Sequence, residues 1–200
     1  MERKQPELAE KVAQYIIDNY TETDYALDAR MMLATRAVEK AKDASEVTAA
    51  EQLYEEAVKH LSVIRAVYAS TPEAGLALNM LGKLYMQQKK YKEADEAYKN
   101  VLGVKEWRAL WPEALYGRGE VAFEQRKFAE ATAYYERIYV MYAHYKDWAA
   151  KGYLKRAESL KRLYQYEKAA EVIEEMLKDA EIAKLPEAQA ARTLLSSLKR

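Results

Sequence analysis

Few of the 200 residues are of types that carry out chemistry. The chain has no cysteine, which excludes disulfides, thiolate nucleophiles and thiolate metal sites. Its two histidines, His60 and His144, stand about two repeats apart with no partner at ligand spacing. Each reads as a satisfied or solvated surface histidine. Glu120 and Glu124 lie one helical turn apart and could imitate an acid/base pair. Glycosidase carboxylates, however, face each other across a cleft of roughly 5–10 Å instead of stacking on one helix. Six scattered glycines form no phosphate-cradling loop. The reading is therefore no catalytic, cofactor-binding or metal-ligating residue, and a protein that is not an enzyme.

Aromatic chemistry is abundant by contrast, with 17 tyrosines against two phenylalanines. Tyrosine suits interfaces because it buries a large ring while its hydroxyl still finds water or a partner. Tyr134, Tyr135, Tyr139, Tyr142 and Tyr145, with Ile138 and Met141, put apolar bulk on more than one helix face. A helix apolar nearly all round is either buried between neighbours or part of an interface. Trp107 and Trp111 flank an apolar connection over 103–111. Trp111 and Trp148 occupy matching places at helix starts and read as structural staples. Trp107 has no counterpart and reads as an exposed anchor.

The elements that must position these side chains are helices. All four prolines are followed by glutamate: Pro6, Pro72, Pro112 and Pro186. Proline is tolerated in the first helical turn and a carboxylate there complements the dipole, so each marks a helix start. Thr71 is placed to cap the second of these, and Asp147 to cap another start without proline. Apolar spacing at i, i+3, i+4 and i+7 predicts about ten helices, over 5–20, 24–41, 46–69, 73–88, 91–104, 111–125, 128–144, 147–163, 166–180 and 186–199. No strand alternation and no low-complexity linker interrupts them.

Charge excludes other classes. Lys+Arg and Asp+Glu balance at 32 each, which gives no general electrostatic reason to favour nucleic acid or an anionic membrane. No stretch approaches the roughly 20 apolar residues of a membrane span, so direct insertion is not expected. The start, residues 1–6, lacks the apolar core of a signal peptide. Either the protein is cytoplasmic, or the chain is an excised piece of a longer array.

A rhythm runs through the helices. A small residue is followed by an Ala and then an aromatic or Ile: Ala34–Ala50–Tyr54, Gly82–Ala94–Tyr98, Gly119–Ala131–Tyr135 and Ala157–Ala169–Ile173. The first step is 12 residues in the last three sets, and successive Ala markers fall 44, 37 and 38 apart. The first unit thus departs from the rule, with extra residues assigned to its hairpin turn. Self-similarity at this period marks a solenoid. Gly82 and Gly119 sit mid-helix at a cost of about 1 kcal/mol, tolerated where another helix approaches closely. Ala94, Ala131 and Ala169 then let each hairpin close.

The run Leu78-x2-Leu81-Gly82-x2-Tyr85, then Tyr91-x2-Ala94-x3-Tyr98, resembles a tetratricopeptide repeat. The next unit keeps Leu115, Gly119, Phe128, Ala131 and Tyr135 but has Arg118 and Ala122 for Leu and Tyr. The third keeps Tyr153, Tyr166 and Ala169, with Arg156 and Ala157 for Leu-Gly. The resemblance implies an all-α solenoid of antiparallel hairpins in a right-handed superhelix, and a single repeat domain over 1–200. Its hairpins are 24–69, 73–104, 111–144 and 147–180, with helices 5–20 and 186–199 as caps or half-units. The long units resemble bacterial cell-envelope members of the family, which would place the protein in the periplasm if a signal were removed.

The resemblance further implies that the first helix of each unit lines a concave groove. The implied lining is Leu76, Asn79, Lys83 and Met86, then Glu113, Tyr116, Glu120 and Phe123, then Lys151, Leu154, Glu158 and Lys161. That mixture suits a protein or peptide partner. Asn79, Lys83, Lys151 and Lys155 are similar to a clamp for a terminal carboxylate, but the middle unit has Gly117 where Asn belongs. Two other roles stand beside the groove scaffold: self-association through Trp107 and the Tyr134–Tyr145 helix, or a regulatory repeat domain of a longer enzyme.

Overall fold

The computed structural model describes the backbone of residues 4–198 and the side chains of 7–198. Ten α-helices and two 3-10 turns make up the described residues, with no strand among them. They fall into two compact units, residues 1–88 and 89–200.

The first unit holds α1 (Lys4–Asn19), α2 (Asp24–Asp43), α3 (Val47–Val67) and α4 (Pro72–Gln87). Thr23 and Thr71 start α2 and α4: the Ala26 and Ala74 N–H groups each donate to a threonine Oγ1 at 3.3 Å. Pro72 follows Thr71 directly, where its missing N–H is harmless. Pro6 stands two residues inside the described start of α1. Ala13 and Ile17 of α1 pack on Ala29 and Leu33 of α2. Glu10 fixes the register of that pair by accepting from Lys40 at 2.6 Å and Arg36 at 3.4 Å. Tyr68, capping α3, donates its hydroxyl to the Thr21 and Thr23 carbonyls and so ties α3 to the α1–α2 turn.

The first hairpin corrects the sequence reading. Its turn is short, residues 44–46, and the extra residues lengthen the helices. At 20 and 21 residues, α2 and α3 are each about two turns longer than the 14-residue helices α6 and α7 described below. Ala34, Ala37 and Ala41 continue a buried small-residue stripe along α2, which keeps a long close contact possible. On α3 the fully buried positions are Ala57, Leu61 and Ile64, while Ala50 and Tyr54 are half-buried. The structural marker is therefore Ala57. It lies 37 residues before Ala94, which restores the period.

The second unit holds α5 (Tyr91–Leu102), a 3-10 turn (Lys105–Leu110), α6 (Trp111–Glu124), α7 (Phe128–Met141), α8 (Lys146–Arg162), α9 (Tyr166–Lys178), a 3-10 turn (Ile182–Lys184) and α10 (Pro186–Leu198). Lys199, the last position of the predicted terminal helix, lies outside the described residues. Asp147 is not a cap: Tyr145 holds that place, and Asp147 lies in the first turn, where its charge complements the dipole.

The glycines are contact points. A Cβ on Gly119 would meet the Tyr135 ring of α7 at 2.4 Å, and one on Gly117 would meet the Tyr98 ring of α5 at 2.3 Å. One α6 helix thus receives a tyrosine face from the helix before it and another from the helix after it. Two arginines at positions where the family has leucine act alike. Arg118 donates to both Asp95 oxygens, at 2.6 and 3.2 Å, linking α6 to α5. Arg156 donates to the Tyr139 hydroxyl and pairs with Glu136 at 2.9 Å, linking α8 to α7.

Candidate interaction face of the second unit

Residues expected to line a groove do come together on α6 and α8. Gly117 and Gly119 leave room on α6 for the Tyr98 and Tyr135 rings, while Tyr116, Glu120 and Phe123 lie at i, i+4 and i+7, one stripe of the helix. Tyr116 packs its ring 5.7 Å from Tyr135 and 5.6 Å from Trp148, centroid to centroid. Glu120 accepts from the buried Tyr135 hydroxyl and pairs with Lys155 at 3.4 Å. Lys155 also meets Glu158 at 3.4 Å and lies 5.5 Å over the Phe123 ring. Lys151 sits 4.5 Å over Trp148. Trp148, Lys151, Lys155 and Glu158 lie at i, i+3, i+7 and i+10, one stripe of α8.

The electrostatics follow from partial burial. Desolvation alone would lower the Lys155 pKa, but Glu120 and Glu158 outweigh it and hold the amine charged above its ordinary range. Burial, then the Glu120 charge, pushes the Tyr116 and Tyr135 hydroxyls well above the usual phenol range. They are neutral donors at physiological pH. The face offers aromatic surface, one shared ammonium and two carboxylates, an arrangement fitted to hold a polar-and-apolar chain. The Glu120–Glu124 spacing brings no acid/base pair together: Glu120 is committed to Tyr135 and Lys155, and Glu124 is exposed elsewhere.

The remaining expected residues are placed as follows. Glu113 is half-buried at the start of α6, and Leu154 packs against the α8–α9 core. Lys161 is exposed and donates to Ser197 at 3.3 Å. In the first unit, on α4, Lys83 is exposed, Leu76 is 39% exposed, Met86 is half-buried and Asn79 is buried at 1%. The carboxylate clamp is not assembled in the second unit. Gly117 cannot be asparagine because Tyr98 occupies the space, and Lys155 already has two carboxylate partners.

Trp107 is not an exposed anchor. It is 5% exposed, folded inward by the 3-10 turn, which kinks at that residue. Neighbouring Trp111 is the staple expected, donating its indole N–H to the Val101 and Val104 carbonyls at 3.1 and 3.2 Å. His60 is likewise not on the surface. It is buried, its Nδ1 has no hydrogen-bond partner, and burial followed by the Arg30 charge lowers its pKa. His144 is exposed against Tyr145. Of the tyrosine-rich helix, Tyr135, Tyr139 and Tyr142 are core, which leaves Val140 and Met141 as its exposed apolar residues. Among the described residues, no cluster of His, Asp or Glu could hold a metal ion. No described helix is long and apolar enough to cross a membrane.

Sequence reasoning missed Trp148 as part of this face. The signal was present in the α8 stripe, but its place at a helix start suggested a staple. Paired hairpins, glycine-to-tyrosine contacts and a 37-residue register are what a tetratricopeptide repeat model matches over residues 35–103 and again over 80–146, more than half of the chain. The chain belongs to the tetratricopeptide repeat family. Members of the family bind protein or peptide partners through such hairpins, and this chain is an interaction scaffold of that kind.

Solved structures agree on the fold. The first tetratricopeptide domain of Spaghetti, bound to an HSP90 peptide, is 23% identical, with a TM-score of 0.50 over 65% of this chain and 97% of that one. A signal-transduction ATPase with a tetratricopeptide sensor, from Pyrococcus horikoshii, matches all of this chain but 34% of its own, at 18% identity and a TM-score of 0.63. PilF of Pseudomonas aeruginosa is 15% identical, with a TM-score of 0.52 over 98% of this chain and 89% of that one. At these identities the likeness concerns the fold alone. No curated protein sequence matches the chain.

Proposed function

We propose that the second unit holds an extended protein segment along the face built by Tyr116, Glu120 and Phe123 of α6 and Lys151, Leu154, Glu158 and Lys161 of α8. The observation that carries this is the continuous row from Trp148 and Tyr116 through Glu120, Lys155 and Glu158 to Phe123. Aromatic anchors beside half-exposed charges are what a peptide with apolar side chains and a polar backbone needs. The opposite charges are pre-paired, so the face costs little to order on binding. The peptide complex of the Spaghetti domain, a structural relative, is consistent with this reading.

Peptide display on the intact chain tests it. Peptides selected by the wild type are expected to bind Lys151→Ala and Tyr116→Ala several-fold more weakly. Equal binding by both variants would sink the proposal, as would a failure to enrich any sequence. Lys151→Ala carries the test should Tyr116→Ala lose stability through its contacts with Tyr135 and Trp148.

A further inference from the structure

Three short turns between successive helices carry a feature that the α6–α8 face does not use. Lys89, Arg126 and Tyr164 occupy the same place in three successive turns and share a left-handed backbone, with φ of 56°, 59° and 60°. Glycine is the residue that adopts this conformation without strain, and a bulky side chain there is an outlier. Each turn is followed two residues later by an aromatic, Tyr91, Phe128 or Tyr166. The repeat dictates the turn geometry but not the side chain, and Tyr164 projects outward at 79% exposure. Backbone strain retained under an exposed tyrosine points to use of the side chain rather than to packing.

The last two turns border one trough. Phe123, Glu124, Arg126, Phe128, Arg162 and Tyr164 line a groove of about 450 Å³. It shares Phe123, Arg162 and Tyr164 with an adjoining groove of about 590 Å³, whose wall adds Lys161, Tyr166 and Leu194. Arg126 and Arg162 are exposed and make no ion pair among the described residues, unlike Arg118, Arg156 and Lys155. Two carboxylates oppose these cations, Glu124 and Glu158, and Glu158 is already held by Lys155. The trough is thus positively charged with an aromatic floor, on a chain whose overall charge is zero.

We propose that this turn-edge trough binds an acidic peptide segment bearing an aromatic or large aliphatic residue, at a site that adjoins the α6–α8 row and shares Phe123, Glu158 and Lys161 with it. The two guanidiniums would each take a carboxylate through paired N–H donors. The rings of Phe128 and Tyr164 would take the apolar side chain. A peptide fits better than a single-stranded nucleic acid, because a continuous run of phosphates would meet the Glu124 and Glu158 carboxylates. Arg126, Arg162 and Tyr164, which the test below changes, lie outside the residues named for the α6–α8 face, so the two readings fail separately.

Fluorescence anisotropy of a labelled short peptide of alternating glutamate and phenylalanine tests it, with labelled oligothymidylate as the competing probe. The wild type is expected to bind the peptide, more weakly as salt rises toward about 0.15 M. Arg126→Glu with Arg162→Glu should lower affinity at least about tenfold with circular dichroism unchanged. Tyr164→Gly should weaken binding and raise the melting temperature, because glycine relieves the left-handed strain. A purely structural tyrosine would not move those two readouts in opposite directions. No peptide binding at low salt, or equal binding by the charge-reversed variant, overturns the proposal. Tighter binding of oligothymidylate than of peptide overturns it in favour of a nucleic-acid site.

Discussion

Gly119→Ala isolates the physics that closes the α6–α7 hairpin. In an exposed helix interior this change stabilises by about 1 kcal/mol, because alanine is the better helix former. Here the new methyl would stand 2.4 Å from Tyr135 Cε1 and 2.8 Å from Cδ1 and Cζ. The ring has little room to retreat. It is fully buried, its hydroxyl is held by Glu120, and Tyr116 packs against it at 5.7 Å. Overpacking of this kind costs about 1–3 kcal/mol. With retreat blocked, the upper part of that range applies, and the net expectation is a loss of about 2 kcal/mol after the propensity gain. Urea unfolding followed by circular dichroism measures it, with an unchanged slope required for the comparison. The same change in a Tyr135→Leu background should reverse sign, since the ring it collides with is gone. Stabilisation by Gly119→Ala in the wild type would refute the close-approach account. So would failure of the sign to change in the second background.

Alkali should unfold the protein steeply. Burial, reinforced by nearby carboxylates, keeps the Tyr98 and Tyr135 hydroxyls protonated above the pH at which an unfolded chain releases them. Stability is therefore fully present below about pH 10 and falls above it by about 3 kcal/mol per pH unit for the two. Urea midpoints across alkaline pH, with tyrosinate absorbance, check this; a flat profile would place both rings in water. Trp107→Ala should cost about 3–5 kcal/mol as a core truncation. Trp107→Phe should be nearly neutral, because the buried indole N–H it removes has no acceptor. Unchanged urea curves for Trp107→Ala, with loss of display-selected peptides, would return Trp107 to the surface.

The fold was legible because its signals are local and repeated. Capping threonines, prolines in first turns and a 3.6-residue apolar period each fix an element without knowledge of its neighbours. Errors arose where two residues of one helix compete for one assignment. In the first hairpin both Ala50 and Ala57 are alanines followed four residues later by a large side chain, Tyr54 or Leu61. An aromatic marker favoured the former. Burial selects the latter, since Leu61 is fully inside and Tyr54 is half-exposed. Trp107 was misplaced for a related reason: a residue without a repeat counterpart looks functional, but a 3-10 turn can fold it inward without disturbing the period.

The proposed α6–α8 face was legible as a set of residues and not as a set of interactions. Residue spacing places Glu120, Lys155 and Glu158 on the correct helices, yet it says nothing of how charges pair across α6 and α8. That pairing decides the chemistry: a lysine held between two carboxylates is a poor clamp for a third. The departures from the family pattern make the same point. Arg118 and Arg156 replace leucines: Arg118 ties α6 to Asp95 of α5 and to the Tyr134 ring of α7, and Arg156 ties α8 to Glu136 and the Tyr139 ring of α7. With those charges spent on holding helices together, Arg126 and Arg162 stand without an ion pair, among the described residues, at the turns. Ligand charge is therefore expected to be read along the edge, while the α6–α8 row reads apolar bulk.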